Sequence, residues 1–220
     1  MLRLIQKFGV TFIGYLVLVL GATFPLYNHD RLTSSNPLDL SFPYYQSFGV
    51  VWMIIASIWV HEQMEDKSKG YLFLRHLPVK PSEIVGAKFA VVFISVFIYV
   101  TFHCAAFWFI SSSPEYFNPS CTLMINVGNL SLFIAGILYL CIYRFGFAKL
   151  RIVLFVLMMV FIALPIILSA LILPKVGLDK FDIIDVLTGI NWMLATAIGL
   201  AVYFMVVQWA ARLVKTEKSQ

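Results

Sequence analysis

The side chains with the most chemistry to offer are few, and most lie in one polar stretch. His61-Glu62-Gln63-Met64-Glu65 carries the first half of the His-Glu-x-x-His pattern, in which two imidazoles one helical turn apart hold zinc and the glutamate serves as base. Glu65 stands where the second histidine should be and no third ligand is evident, which argues against a metalloprotease. Asp179, Asp182 and Asp185 recur every third residue and share a helical face, an arrangement open to metal binding but more simply a solvated surface. Cys104, Cys121 and Cys141 are an odd set without metal-ligand spacing, and they read as small core residues. The chain has no G-x-x-x-x-G-K-[ST] loop to cradle nucleotide phosphates and no G-x-S-x-G nucleophile. We therefore expect no catalytic residue, no metal and no cofactor in this chain.

The elements that must position these residues are membrane spans. With 61% hydrophobic residues, 12% charged residues and a mean hydropathy of +0.90, the 220-residue chain has too little polar surface for a water-soluble domain. The expected fold class is an all-α integral membrane protein, one transmembrane domain over residues 1–220. A span needs roughly 20 apolar residues. Six runs qualify: Phe8–Tyr27, Tyr44–Val60, Ile84–Ile110, Leu123–Tyr143, Ile152–Leu173 and Ile190–Ala211. The first is too long for a signal-peptide core and lacks a small-residue cleavage site, so no cleavable leader is expected.

Charge sets the orientation. Of the 16 Lys and Arg residues, 13 fall in alternate segments: Arg3 and Lys7, then Lys67 to Lys88, then Arg144 to Arg151, then Arg212 to Lys218. Only Arg31, Lys175 and Lys180 fall in the others. The excess marks the cytoplasmic side and places both termini there, together with the stretch from His61 to Lys88. The net charge of +5 is thus a topological signal, and no nucleic-acid partner is expected.

The shorter segments give further expectations. Met1–Lys7 reads as an interfacial helix or a frayed basic anchor, and Asn28–Pro43 as an irregular outer loop. Ser111–Cys121 reads as a second outer loop in which Pro114 and Pro119 block a continuous helix, and Pro174–Gly189 as an amphipathic or re-entrant outer helix. Pro165 should kink the fifth span. His103, the one titratable group deep in an apolar run, reads as a packing residue rather than a proton relay, and no acidic residue lies near the middle of a span. Asn126 and Asn129, one turn apart, read as interhelical hydrogen bonders, as do Gln46, Asn191 and Gln208.

The longest polar interruption, His61–Lys88, is longer and more patterned than a plain connection requires. Read as a helix, His61–Leu77 opens with Glu62, Glu65 and Asp66 and closes with Arg75 and His76, in the sense that suits the helix dipole. Pro78 stops it, and Pro81 with Glu83 makes a favourable start for the next helix. Helix, turn and departing span form an elbow, and force on it would tilt the second and third spans together. The plainer account is an amphipathic loop packed only on its own protein.

Glu65-Asp66-Lys67-Ser68-Lys69-Gly70-Tyr71, followed by Leu74-Arg75-His76-Leu77-Pro78-Val79 and by Glu83-Ile84-Val85-x-x-Lys88, resembles the ABC-2-type transporter permeases. Those proteins show an acidic pair, a short basic stretch, an L-x-x-L-P-V/I turn and an E-I-V-x-x-K start to the third span. The six-span plan extends the resemblance to the whole chain, although Lys80-Pro81 stands where the family commonly has Ser or Thr. The resemblance implies a coupling helix within residues 61–83, seated in a separate ATP-binding-cassette ATPase. Glu65, Asp66, Lys67, Ser68, Lys69, Gly70 and Tyr71 would be its contacts, with Leu74, Arg75 and Pro78 in the same segment. It also implies a second permease in a homo- or heterodimer, ATP and Mg held by the ATPase, membrane lipids as surroundings, and a bacterial cytoplasmic membrane location. The spans' aromatic and aliphatic content suits export of an amphipathic or hydrophobic cargo such as a peptide, an antimicrobial or a lipid-like molecule. Phe48 and Trp52 are candidates for the cargo path, because the elbow would move their span directly. Two other readings stay open: a non-transporting anchor, sensor or immunity subunit, and an ion-coupled carrier.

Overall fold

The computed structural model describes residues 14, 41–67, 80–110, 114–167 and 180–217, and every regular element among them is helical. The helices are α1 (Ser41–Lys67), α2 (Pro81–Ile110), α3 (Pro114–Phe145), α4 (Phe147–Ile167), α5 (Lys180–Gly189) and α6 (Trp192–Glu217). Met1–Lys7 and the first apolar run lie outside the described residues, save Gly14, which is helical. Three described helices are long and apolar enough to cross a bilayer, over Ser82–Phe109, Phe117–Phe145 and Trp192–Leu213.

The helices begin and end where backbone chemistry allows. Pro81 opens α2, where its missing N–H is no loss, and the Lys80 carbonyl accepts from the Glu83 N–H at 2.9 Å and the Ile84 N–H at 3.4 Å. The helix thus starts without a Ser or Thr at position 80. Asn191, expected to bond between helices, instead caps α6, its Oδ1 accepting from the backbone N–H groups of Met193 (3.0 Å) and Leu194 (3.3 Å). Between α3 and α4 the chain turns on one residue. Gly146 has φ +82°, where a side chain would be strained, and its N–H donates to Ile142 O at 2.9 Å.

Two further expectations change. Ser111–Cys121 is not a loop throughout, because α3 starts at Pro114 and contains Pro119. Pro114 takes the first helical position, where proline is welcome, and Pro119 comes early enough to forfeit only the single bond to the Glu115 carbonyl. The acidic residues after Val60 do not open a new helix either. α1 runs from Ser41 through His61 to Lys67 without a break, so Glu62 and Glu65 belong to the continuation of the second span. The dipole argument for them fails, and something else must neutralise their charge.

α3 is the hub: it packs against each of the other five described helices. Glycines set the closest approaches. A Cβ on Gly128 would lie 2.9 Å from Val100 Cγ2, and one on Gly136 would lie 3.2 Å from Val206 Cγ1. Gly49 of α1 sits beneath the Tyr99 hydroxyl of α2, which donates to Gln46 O at 2.9 Å. Tyr203 of α6 donates to Phe89 O of α2 at 2.6 Å. Outside this core, α4 and α6 present Ile152, Val153, Val156, Met193, Leu194, Phe204 and Trp209 as exposed apolar faces, as lipid contact requires.

Candidate functional site: an ionic joint between the helices flanking the polar stretch

Lys88 lies inside the apolar run of α2, one turn beyond Ile84, and a charge there is costly without a partner. Its partners come from α1 across the whole polar stretch. Lys88 Nζ donates to Glu62 Oε1 at 2.5 Å and to Glu65 Oε2 at 2.8 Å. The three residues are 4%, 7% and 7% exposed respectively, so this is an interior ion cluster and not a surface bridge. Glu62 and Glu65 reach the same ammonium because residues three apart share a helical face. His61, one turn before Glu65, brings Nε2 to 3.7 Å from Glu65 Oε1. Burial pushes the Glu62 carboxyl, just past the end of the apolar run, above the ordinary carboxylate range against the opposing pull of Lys88.

α3 closes the third side. Tyr139 and Tyr143 stack at 6.1 Å between ring centroids, and their rings lie near enough for Glu62 and Lys88 to act on them electrostatically. Neither hydroxyl has a hydrogen-bond partner among the described residues. Phe89, next to Lys88 in sequence, packs its ring on Tyr139 at 5.1 Å and on Tyr203 at 5.3 Å. α1 and α2 are thus joined at one point by charge, and α3 and α6 are drawn in through aromatic rings. His61, Glu62 and Glu65 could between them offer ligand atoms within 4.8 Å of one another. The Lys88 ammonium already supplies positive charge there, so a metal ion would meet repulsion as well as ligands.

The residues singled out in the sequence separate into three groups. Glu65 is buried in the joint, whereas Asp66 and Lys67 are exposed at the described end of α1. Ser68, Lys69, Gly70, Tyr71, Leu74, Arg75 and Pro78 lie outside the described residues. Phe48 and Trp52, one turn apart on α1, are half-buried against the core, with Phe48 edge-on to Tyr44 at 5.2 Å.

His103 is a packing residue as expected. It is fully buried and stacked on the Tyr99 ring at 4.0 Å, with Nδ1 2.9 Å from the Tyr99 carbonyl one turn back. Asn126 and Asn129 bridge helices, also as expected. Asn126 Nδ2 donates to Leu187 O (2.7 Å) and Ile190 O (3.2 Å), and Asn129 Nδ2 to Thr196 Oγ1 (2.9 Å). The joint itself was missed. No acidic residue lies near the middle of a span, yet Glu62 and Glu65 are buried just beyond the apolar run. The signal was Lys88, a lone charge inside an apolar stretch that must find a counter-charge.

The pattern that defines the ABC-2 family transporter proteins matches residues 38–215, nearly the whole chain. The chain belongs to the ABC-2 transporter family. No curated protein and no solved structure matches it. As an ABC-2 family member it is a membrane transport protein, and the family as a whole works with ATP-binding-cassette ATPases. In this ABC-2 chain the ionic joint fastens together the two helices that the polar stretch connects.

Proposed function

We propose that the chain is the permease subunit of an ATP-driven ABC exporter, with six spans and both termini in the cytoplasm of a bacterial cell. A separate ATPase holds ATP and Mg, and a second permease, identical or not, completes the path. The segment 61–83 docks on the ATPase through Asp66 to Tyr71 and the turn at Pro78, with Glu65 held in the joint instead. ATP-driven closure pushes that segment, and the second and third spans tilt as a unit to open the path outward. An amphipathic or hydrophobic cargo fits the apolar spans, with Phe48 and Trp52 beside its route.

The observation that carries this reading is the Lys88–Glu62–Glu65 joint in a chain of this family. A lever needs its two arms fastened near the point where force arrives, and the joint fastens α1 to α2 there. Glu65 serves that fastening, which leaves exposed Asp66 and Lys67 as the docking contacts at the described end of α1.

Three measurements test the proposal. The tagged chain should retain an ATP-binding-cassette ATPase on purification, and the complex in liposomes should hydrolyse ATP faster when cargo is added. An amine reagent that cannot cross membranes should label Lys67 in inside-out vesicles and not in whole cells. Labelling of Lys67 from outside the cell would remove the lever from reach of any cytoplasmic motor.

A further inference from the structure

Cys104 on α2 and Cys121 on α3 lie opposite each other, their thiols near enough to interact. The contact does not stand alone, because α2 and α3 run antiparallel and in register on both sides of it. Towards the α2–α3 connection, Trp108 meets Phe117 edge-on with ring centroids 5.1 Å apart. In the other direction Gly128, seven residues and so about two turns from Cys121, lets Val100 and Val96 press to 2.9 and 3.5 Å of where its Cβ would be. Stepping along both helices from one contact to the other brings Cys104 opposite Cys121. A glycine at the crossing also keeps the backbones close, and closeness is what a disulfide demands, with Cα atoms about 4.4–6.8 Å apart. Cys121 is buried and Cys104 half-buried, whereas Cys141 lies five turns further along α3, away from both.

We propose that Cys104 and Cys121 form an oxidisable dithiol that closes into a disulfide tying α2 to α3. The oxidant is a disulfide donor. One thiolate attacks it, forming a mixed disulfide and releasing one donor thiol, and the second thiolate then displaces the other. Two protons and two electrons leave the cysteines as their S–S bond forms, and the donor disulfide is reduced to a dithiol. The tie fixes the end of α2 remote from the ionic joint to the hub helix. The side of the membrane from which the oxidant arrives rests on the orientation proposed above; the pairing of the two thiols does not.

The test uses the full chain in washed native membranes, with diamide as oxidant. Diamide takes up the same two electrons and two protons as its N=N bond becomes a hydrazine. After removal of the reagent and denaturation in SDS, a polyethylene-glycol maleimide counts the remaining thiols by gel shift. The untreated chain should carry three tags, one for each cysteine. The oxidised chain should carry one, and dithiothreitol should restore three. Cys141→Ser should fall from two tags to none, whereas Cys104→Ser and Cys121→Ser should keep two throughout. Three tags surviving diamide, or a loss of tags that persists in Cys104→Ser, would overturn the pairing. Neither result depends on transport, so failure here leaves the permease reading untouched.

Discussion

At the scale of residues, the fate of Lys88 decides whether the joint holds. Removing one partner of a buried ion cluster leaves uncompensated charge in a place where water cannot reach it, at a cost of about 3–5 kcal/mol. Replacing every charged member by neutral groups of similar shape is often nearly free. We therefore expect Lys88→Met to unfold far more readily than the parent in detergent, followed by tryptophan fluorescence during a denaturant titration. Lys88→Met combined with Glu62→Gln and Glu65→Gln should recover most of the loss. A triple variant no more stable than Lys88→Met would mean that Lys88 supports the fold by some other route than neutralising these carboxylates. The partners were illegible in the sequence because hydropathy sees a window, whereas these residues meet across more than twenty positions. An extension of α1 past the last apolar residue, which composition alone could not distinguish from the start of a new helix, brings them together.

At the scale of elements, α3 holds the others and Asn126 shows how. Its amide reaches the Leu187 and Ile190 carbonyls at the end of α5, which have no further helical turn to satisfy them. Asn126→Leu should release α5 at a cost of about 1 kcal/mol, the usual scale of an interhelical hydrogen bond in membrane proteins. Hydrogen exchange should quicken at the amides of Lys180–Gly189 while those of α1 stay protected. Asn129→Leu, which breaks a contact to α6 instead, serves as the control; equal exchange at α5 in both variants would dissociate Asn126 from that role. The paired asparagines were legible because an amide in an apolar helix needs a partner. The helices themselves were legible as apolar runs, but their pairing was not. Phe89 is 1% exposed and Phe97, two turns along the same helix, is 64% exposed. Lipid and protein interior ask for the same side chain, so periodicity carries little information about which face meets which. The prolines misled for a related reason: Pro114 and Pro119 read as breakers, although one opens α3 and the other sits where a single lost bond is tolerable.

At the scale of the whole molecule, a lever is useful only if its arms move together, and the joint makes a distinction between holding the fold and transmitting force. Neutralising all three members keeps the volume and removes the charged tie, so the helices should remain packed while losing the link that, in the proposed mechanism, makes them tilt as one. Asp66 and Lys67 are exposed and outside the ion cluster, so binding to the ATPase should survive the triple change. Lys88→Met with Glu62→Gln and Glu65→Gln should then co-purify with the ATPase and hydrolyse ATP at the parental basal rate. Transport, and the stimulation of hydrolysis by cargo, should fall on the order of tenfold, the scale of a coupling free energy of about 1–3 kcal/mol. The comparison separates three physical roles. Loss of co-purification would place the joint in the docking surface; unchanged transport would make it a structural brace alone. Retained binding with lost stimulation is what a mechanical link between two helices requires, because only such a link leaves both ends working and disconnects them from each other.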